Sequence, residues 1–206
     1  MRASGKKRVV AIRFSSSSEA AEFLEHALPR IRGAAVEQSG AHVKVALPPS
    51  EAAEEDYRRL MALLRQWRLS RGAPRRGAYR HSVSLLLSSA KLEVAVPPAA
   101  IADALSLMGY EARVEGGYLV TSASFEKAVE VSERFSRLYA EALRVPAAPL
   151  PKRLAAVWAT VRGCGVEGAF GELERAGLVK RDASGRYVLA ASYEEALRRL
   201  RQLAGR

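Results

Sequence analysis

The pattern that most constrains the fold of this chain is an order of strands and helices that occurs twice. Each copy starts with a short apolar segment typical of a strand, continues with an amphipathic helix and a hairpin, and ends with a long helix. The segments of the first copy are residues 9–14, 19–30, 34–37, 42–47 and 51–70. Those of the second copy are residues 92–96, 97–107, 112–115, 118–121 and 124–144. The repeat predicts an α+β fold that contains two tandem, duplicated β-α-β-β-α units.

The stretch between the two copies, residues 81–90, fits two kinds of structure. Val83, Leu85 and Leu87 alternate with polar or other residues as they would in a strand. The consecutive leucines at positions 85 to 87 would also suit a buried turn of helix. Both assignments therefore stay open for this stretch.

Serine residues mark the starts of three predicted helices. One of the four serines at residues 15–18 precedes the first helix, and Ser124 and Ser192 precede two later ones. A serine in this position accepts a hydrogen bond from a backbone N–H group that has no partner within the helix. We therefore expect these serines to be N-caps.

The last part of the chain has a different order of elements, which follows a proline-rich linker at residues 145–151. The predicted elements are helices at 152–162 and 166–176, a hairpin around 182–185 and a helix after Ser192. This order resembles the winged-helix family, in which the second of two packed helices enters the major groove of DNA. Three domains are predicted, at residues 1–81, 82–148 and 149–206.

The second helix of this winged-helix-like segment is acidic. It contains Glu167, Glu172 and Glu174 with a single arginine, so it would repel the phosphates of DNA. A structural or protein-contacting role is therefore preferred over DNA reading. The neighbouring hairpin is basic, and its candidate phosphate contacts are Lys180, Arg181 and Arg186.

Positive charge is unevenly distributed along the chain, whose formal net charge is +11. Residues 1–81 contain 16 Lys and Arg against 8 Asp and Glu, whereas residues 82–148 contain 6 against 8. Residues 149–206 contain 11 against 6. An uneven distribution of this kind indicates one surface that faces a polyanion. Most of the cations are arginines, which suit bidentate contacts to phosphate.

The strongest functional signal is the segment from Arg65 to His81. It contains six arginines, and no Asp or Glu occurs from Tyr57 to Leu92. The two arginines just before it have a glutamate four residues earlier, whereas the first three arginines of the segment have none. Their charge is therefore expected to be available to a partner. The arginines predicted to contact phosphate are Arg65, Arg68, Arg71, Arg75, Arg76 and Arg80.

The two aromatic residues of this segment have different predicted roles. Trp67 shares one face of the long helix with Leu60 and Leu64, so it is expected to lie in the core. Tyr79 lies on the basic loop, where an aromatic ring can stack on a base of a single-stranded nucleic acid. Tyr79 is therefore the predicted stacking residue.

Motifs for catalysis or metal binding are not found in the sequence. His26, His42 and His81 are far apart and there is no cysteine pair, so no metal site is predicted. There is no phosphate-binding Gly-Lys-Ser/Thr loop and no nucleophile elbow, and no cofactor is expected. Cys164 is the single cysteine and is expected to be a buried residue and not a nucleophile. We therefore expect a protein that is not an enzyme.

The sequence also indicates the cellular compartment of the protein. No apolar run reaches the ~18 residues that a membrane-spanning helix requires, and the first residues do not form a signal peptide. A single cysteine excludes an internal disulfide and fits a reducing compartment. A cytoplasmic location without a membrane partner is predicted.

The whole chain resembles an uncharacterised archaeal, mainly crenarchaeal, protein family of unknown function. The resemblance lies in the order of elements and in three phrases of sequence, at residues 109–110, 119–121 and 172–179. Membership would imply no activity.

The first unit, from Val9 to Arg68, is similar to the small dimerising subunit of the KEOPS complex, which modifies tRNA. The similarity lies in the strand that ends at residues 13–15, the helix entered at residues 19–21, the two strands and the long helix. It implies a role linked to tRNA or the ribosome.

These observations together predict a non-catalytic RNA-binding protein that associates with structured RNA such as rRNA or tRNA. The alternative is a DNA-binding or complex-forming adaptor in which the winged helix makes the main contact. A protein partner could bind through the second unit or through the winged helix. The RNA prediction would fail if glutamates of the second copy or of the C-terminal segment already engaged the arginines.

Overall fold

The structure is a computed structural model that describes residues 8–49, 52–71 and 77–205. The strands are β1 (Arg8–Arg13), β2 (Ala35–Ser39), β3 (His42–Leu47), β4 (Tyr79–Ser82), β5 (Ala112–Glu115), β6 (Tyr118–Thr121), β7 (Val179–Arg181) and β8 (Tyr187–Leu189). The α-helices are α1 (Ser17–Ala27), α2 (Ala53–Arg71), α3 (Val83–Ser89), α4 (Pro98–Leu107), α5 (Phe125–Leu143), α6 (Pro149–Arg162), α7 (Val166–Arg175) and α8 (Tyr193–Ala204). The mixture of helices and small antiparallel sheets confirms the predicted α+β class. The chain divides into two compact units between Arg68 and Leu69, within α2.

The first unit contains a three-stranded antiparallel sheet in the order β1-β3-β2, together with α1 and most of α2. Alternate residues of β3, namely Val43, Val45 and Leu47, are buried, as a sheet with one face on the core requires. The indole of Trp67 in α2 packs edge-on against Phe23 of α1, with ring centroids 5.6 Å apart. Trp67 is 2% exposed, so its predicted place in the core is confirmed.

The predicted serine caps are confirmed. The hydroxyl groups of Ser16, Ser124 and Ser192 accept backbone N–H groups from residues three positions later, at 3.0, 3.2 and 3.1 Å. Each bond satisfies one of the N–H groups that the first turn of a helix leaves without a partner. The starts of α1, α5 and α8 are therefore fixed by local chemistry.

The second unit contains a sheet in the order β4-β6-β5, with both pairings antiparallel. This order matches that of the first unit, because in both the first strand lies beside the third. The register places His81 opposite Leu119 and Arg80 opposite Val120. His81 and Leu119 are buried, whereas Arg80 is exposed. The two faces of this sheet therefore have different surroundings.

The predicted strand at Leu92–Val96 is wrong, since this segment has no strand structure. Its backbone is held by side chains of α5 instead of by a neighbouring strand. The hydroxyl of Ser136 accepts the N–H groups of Glu93 and Val94 at 2.8 and 3.0 Å, and the carboxylate of Glu133 accepts the N–H of Lys91 at 2.8 Å. Groups bonded in this way have no need of a strand partner.

The open assignment at residues 81–90 is resolved as the end of a strand followed by a helix. β4 ends at Ser82, and α3 covers Val83–Ser89. The Ser82 hydroxyl accepts the N–H of Leu85 at the start of α3. The first strand of the second sheet is therefore β4, which crosses the predicted boundary between residues 81 and 82.

The C-terminal elements follow the predicted order of two helices, a hairpin and a helix. The predicted linker is partly ordered against them, because the N–H of Ala148 donates to the carbonyl of Tyr187 at 2.9 Å and the Tyr187 N–H donates to Pro146 at 3.0 Å. The helix α6 begins at Pro149, inside the predicted linker. Residues 69–205 form one compact unit, and the three-domain division stays a prediction.

A polar cluster connects the C-terminal helices to α4. The Asp103 carboxylate accepts hydrogen bonds from Arg153 of α6 at 2.6 Å and from the hydroxyl of Tyr193 of α8 at 3.0 Å. The Arg153 guanidinium lies 4.7 Å from the centroid of the Tyr193 ring. Burial and the neighbouring Asp103 raise the pKa of Tyr193, so the phenol stays protonated and donates. Three helices of this unit are thus joined through one carboxylate.

The two longest helices, α2 and α5, contain 19 residues each. Both are amphipathic, with buried aromatic or leucine side chains on one side and charged residues on the other. Across the described ranges, no helix combines the length and the apolar content that crossing a bilayer requires.

Candidate nucleic-acid interface

Arg65 and Arg68 lie on the exposed side of α2, and Leu64 and Trp67 on its buried side. This separation follows from the helical period, since residues three and four apart share a face. Within the residues that the structure describes, neither guanidinium has a carboxylate oxygen within the 4.0 Å of an ion pair. Both charges are therefore available to an external anion.

The arginines earlier in α2, in contrast, have carboxylate partners. Arg58 lies 3.5 Å from Glu54, and Arg59 lies 2.8 Å from Glu55, each pair being four residues apart. The predicted local partners of these two arginines are confirmed. Exposed pairs of this kind contribute little stability, roughly 0.3–0.5 kcal/mol, but they neutralise charge locally.

Arg71 has an acidic neighbour, which corrects the expectation that its charge is uncompensated. Its Nη1 lies 3.9 Å from the carboxylate of Glu126, and its guanidinium lies 5.0 Å from the centroid of the Phe125 ring. Only 23% of its side chain is exposed. Both neighbours come from α5, so the residues four positions away along α2 do not indicate them.

The loop that contains Arg75 and Arg76 lies outside the described residues, so their phosphate contacts stay predictions. The elements at its two ends are joined by hydrogen bonds. The hydroxyl of Ser70, in the last turn of α2, accepts the N–H of Ser82 at 3.0 Å. The Ser70 carbonyl oxygen lies 2.9 Å from Nδ1 of His81. The end of α2 is thereby connected to β4.

Tyr79 lies on the same face of β4 as His81. The two rings stack with centroids 5.4 Å apart and an angle of 18° between their planes. His81 is fully buried and also packs edge-on against Phe125, whereas Tyr79 is half-buried. One face of the Tyr79 ring is therefore occupied by protein, and its predicted role in base stacking stays a prediction.

Both ring nitrogens of His81 face backbone carbonyl oxygens. Nδ1 lies 2.9 Å from the carbonyl of Ser70, and Nε2 lies 2.9 Å from that of Ala123. Burial lowers the pKa of His81, while the two carbonyl groups and Glu126 act to raise it. A neutral imidazole donates from one nitrogen only, so one of these two contacts is a hydrogen bond. The ring lies between the end of α2, β4 and the segment that precedes α5, which is a structural role.

Arg80 lies on the opposite face of β4, together with residues from the other two strands. Its guanidinium lies 5.0 Å from the centroid of the Tyr118 ring on β6. Arg113 of β5 lies on the same face, beyond Val120 of β6, and its Nε is 3.4 Å from Glu115. Arg80 and Arg113 are exposed, and Tyr118 is half-buried. This face combines two guanidinium groups with one aromatic ring.

The sequence interpretation missed Tyr118 and Arg113. The sequence indicates the pairing of β5 with β6, because two consecutive glycines favour a tight turn. Gly116 and Gly117 have φ values of 55° and 80° and form that turn. The proximity of both residues to Arg80 depends on the pairing of β4 with β6. That pairing could not be derived while the first strand was placed at residues 92–96.

The three cations of the basic hairpin β7–β8 differ in the contacts that their side chains make. Lys180 and Arg186 are exposed, and within the described part of the chain Lys180 has no carboxylate partner. The backbone N–H of Arg186 donates to the Asp182 carboxylate at 3.0 Å, and the charge of Arg186 helps to lower the pKa of Asp182. Arg181 donates a hydrogen bond to the Tyr187 hydroxyl at 2.6 Å and lies 3.8 Å from the carboxylate of Glu174. Lys180 is therefore the uncompensated charge among these three cations, whereas Arg181 and Arg186 each have a carboxylate nearby.

A cleft of about 710 Å³ lies between the hairpin, the start of α7 and the end of α5. Its charged lining consists of Glu141, Arg144, Glu167 and Arg181. Two carboxylates and two guanidinium groups leave no net charge, so the cleft does not favour an anion over a cation.

Cys164 is half-buried between α6 and α7. Burial and the nearby Glu172 raise the pKa of its thiol, which disfavours the nucleophilic thiolate. No group of three or more His, Cys, Asp or Glu side chains that could hold a metal ion is found where the structure describes the chain.

The comparison with protein-family models gives one match, to "Uncharacterized protein conserved in archaea (DUF2067)", over residues 12–198. No curated protein and no solved structure matches the chain at the threshold applied. The family match extends from the end of β1 into α8. The chain therefore belongs to this family of uncharacterised proteins conserved in archaea.

Proposed function

We propose that this protein binds structured RNA without catalysing a reaction, through the arginines that begin in the second half of α2 and continue to β4. The observation that carries the proposal is the exposure of Arg65 and Arg68 without any carboxylate partner among the described residues. These two residues belong to a stretch of 36 residues, Tyr57 to Leu92, that contains no Asp or Glu. Guanidinium groups that lack an internal partner are suited to RNA phosphates.

The arginines contribute unequally in this proposal. Arg65, Arg68 and Arg80 are exposed and make direct phosphate contacts, and Arg75 and Arg76 are further candidates for phosphate contacts. Arg71 contributes less to phosphate binding, because its guanidinium must first move away from the carboxylate of Glu126. Lys180 and Arg186 supply further phosphate contacts from the hairpin, with Arg181 restrained by Tyr187 and Glu174. Tyr79 remains a candidate for contact with a base.

The proposal is tested by the salt dependence of RNA binding. Each phosphate contact releases condensed counterions, so the logarithm of the affinity falls with the logarithm of the salt concentration by roughly 0.7–0.9 per contact. A variant with Arg65→Gln, Arg68→Gln and Arg80→Gln should bind a fluorescent tRNA transcript more weakly, with a slope reduced by about 2–3. Fluorescence anisotropy over about 50–200 mM salt measures both quantities.

The matched control removes the same number of positive charges from residues that have glutamate partners. It carries Lys44→Gln, Arg58→Gln and Arg59→Gln, whose partners are Glu37, Glu54 and Glu55. Its slope should stay close to that of the wild type. The proposal is rejected if the salt slope of the Arg65/Arg68/Arg80 variant equals that of the wild type. It is also rejected if the control variant loses as much RNA affinity, because the loss would then reflect net charge alone.

A second candidate is a winged-helix adaptor for DNA or for a protein complex. It is supported by the order of α6, α7, β7, β8 and α8 and by the exposed Lys180 and Arg186 on the hairpin. The acidic residues of α7 favour a protein partner over DNA. In this case Lys180→Gln with Arg186→Gln should remove binding to a DNA duplex or to a captured partner, whereas the Arg65/Arg68/Arg80 variant should retain it.

The proposal also covers the evolutionary origin of the fold and the cellular location of the protein. The shared strand order of the two sheets supports an internal duplication of one β-α-β-β-α unit. A protein that binds structured RNA such as rRNA or tRNA is expected to be cytoplasmic. Localisation of a tagged copy in an archaeal host, followed by sequencing of the RNA that copurifies with it, tests this part.

A further inference from the structure

The sheet β4-β6-β5 has one face whose residues are determined by its register. Arg80, Val120 and Arg113 lie opposite one another across the three strands, and Ser82, Tyr118 and Glu115 form the next row. Side chains that are opposite one another, or two residues apart, point to the same side of a sheet. All six residues therefore lie on one face.

The opposite face of the same sheet belongs to the core. His81 and Leu119 lie on it and are 0% and 1% exposed. The ring of Phe125, at the start of α5, packs against His81 there at 5.5 Å. The aromatic residue that the sequence favours for stacking, Tyr79, also lies on this core-facing side, against His81. The face with Arg80 is the one that carries exposed charged residues.

The exposed charges of this face are available to an anion. Within the described residues, Arg80 has no carboxylate partner, and its guanidinium covers one side of the Tyr118 ring at 5.0 Å. Arg113 lies 3.4 Å from Glu115, but the two side chains are 65% and 57% exposed. An ion pair this exposed is weak, so a phosphate group can compete for Arg113.

We propose that this face, formed by Arg80, Arg113 and Tyr118, binds an unstacked base of single-stranded RNA, with Tyr118 as the stacking residue. Aromatic side chains on open antiparallel sheets stack on bases, and neighbouring cations hold the phosphates on either side. Arg80 can lie over the base or over the ring, because a guanidinium plane stacks on both. Val120 lies between the two arginines and is 6% exposed, so Arg80, Arg113 and Tyr118 supply the surface that a base can reach.

This inference rests on the proposed function, because a base-stacking site has a role only in a protein that binds RNA. It adds a second kind of contact to that function. The α2 arginines hold phosphates of any strand, whereas Tyr118 requires a base that is not paired. The protein is then expected to prefer RNA with loops or single-stranded ends over a continuous duplex.

The test uses the full chain and a labelled, unstructured RNA of about 12 nucleotides, a length within the range that such sites cover. Tyr118→Leu keeps an apolar side chain and removes the aromatic face, so it should weaken binding of this RNA by about 5- to 150-fold. Tyr118→Phe keeps the ring and should bind like the wild type. Neither change should alter the salt slope by as much as one phosphate contact, and neither should affect binding of the same strand in a duplex.

The outcomes separate the inference from the function on which it rests. If the wild type binds neither RNA, both are overturned. If the wild type binds with a salt slope that the Arg65/Arg68/Arg80 variant reduces, but Tyr118→Leu has no effect on the single strand, only the inference is overturned. Equal weakening of single strand and duplex by Tyr118→Leu would also overturn it, and so would tighter binding of a DNA strand of the same sequence.

A second measurement is independent of the folding of any variant. RNA of the same sequence with 4-thiouridine, irradiated in complex with the wild-type protein, should crosslink to the peptide that contains Tyr118. Crosslinks found by mass spectrometry at Tyr79 and not at Tyr118 would assign base stacking to the other aromatic residue.

Discussion

Ser136, in the middle of α5, is bonded twice to the backbone of Val94. Its hydroxyl accepts the Val94 N–H at 3.0 Å and donates to the Val94 carbonyl at 3.0 Å. The same hydroxyl accepts the N–H of Glu93 at 2.8 Å. One fully buried serine thus replaces the strand partner that this segment would otherwise require.

The first prediction concerns this serine. Ser136→Ala should lower the free energy of unfolding by about 1–3 kcal/mol, because partly buried N–H groups lose their acceptor. Ser132→Ala is the control on the same helix. Ser132 is equally buried but bonds only to the Ala128 carbonyl of its own helix, so the loss should be below about 1 kcal/mol. Urea denaturation followed by circular dichroism measures both, and equal losses would contradict the assignment.

A second prediction contrasts two glycines. Gly163 ends α6 with a φ of 74°, and a Cβ atom there would lie 2.9 Å from Nη2 of Arg134. The arginine end can move, but the backbone angle cannot change without loss of the cap, so Gly163→Ala should cost about 1–2 kcal/mol.

The contrasting position is Gly171, inside α7, where nothing lies within 4 Å of an added Cβ. Gly171→Ala should raise the free energy of unfolding by roughly 0.5–1 kcal/mol, since alanine favours a helix more than glycine does. Thermal melts of the two variants should shift in opposite directions, and a shift in the same direction would contradict the role of the backbone angle at Gly163.

The third prediction is a pH dependence that involves His26. Burial and the nearby Arg30 lower the pKa of His26 from 6.5 to about 4. The Arg30 guanidinium, which can only donate, lies 3.3 Å from Nδ1 of the ring, so the unprotonated nitrogen fits this contact. Between pH 6.5 and about 4 the unfolded chain binds more protons at this site than the folded one. Stability from His26 is therefore fully present above pH 6.5 and is lost as the pH falls toward 4.

His26→Gln keeps an acceptor for Arg30 and removes the titration. The melting temperature of this variant should fall less than that of the wild type when the pH is lowered from about 7 to about 4. His42→Gln, a change at an exposed position of β3, is the control and should follow the wild type. Parallel curves for wild type and His26→Gln would show that another group carries the dependence.

A fourth prediction addresses the cluster around Asp103. Asp103→Ala leaves the guanidinium of Arg153, whose side chain is 22% exposed, without its carboxylate. The loss should be about 1.5–3 kcal/mol, as for a hydrogen bond to a charged group, because both side chains are partly exposed. Tyr193→Phe removes one hydrogen bond and should cost about 1 kcal/mol. Denaturant midpoints of the full chain rank the variants, and a larger loss for Tyr193→Phe would contradict the central place of Asp103.

Features encoded by neighbouring residues were predictable from the sequence. The caps at Ser16, Ser124 and Ser192, the turn at Gly116 and Gly117, and the bounds of most helices follow from signals within a few residues. The core position of Trp67 followed from the helical period alone. The exposure of Arg65 and Arg68 on the opposite side of α2 followed from the same period.

Features that depend on distant residues were not predictable in this way. The segment at residues 92–96 has the composition of a strand, but Ser136 and Glu133 of α5 determine its structure. The contact of Arg71 with Glu126 likewise comes from another element. The faces of Tyr79 and Tyr118 depend on which strand β6 pairs with, and one misplaced strand changes the residues that share a face.

The bonds of Ser70 to the strand at residues 81–82 also affect how the arginines between them meet a ligand. They hold the end of α2 against β4, so the entropy of bringing these two elements together is lost on folding and not on association. An arginine-rich tail anchored at one end would lose that entropy at the moment of contact. Loss of these hydrogen bonds would separate the end of α2 from β4, and Arg71 and Arg80 would no longer be held at a fixed separation.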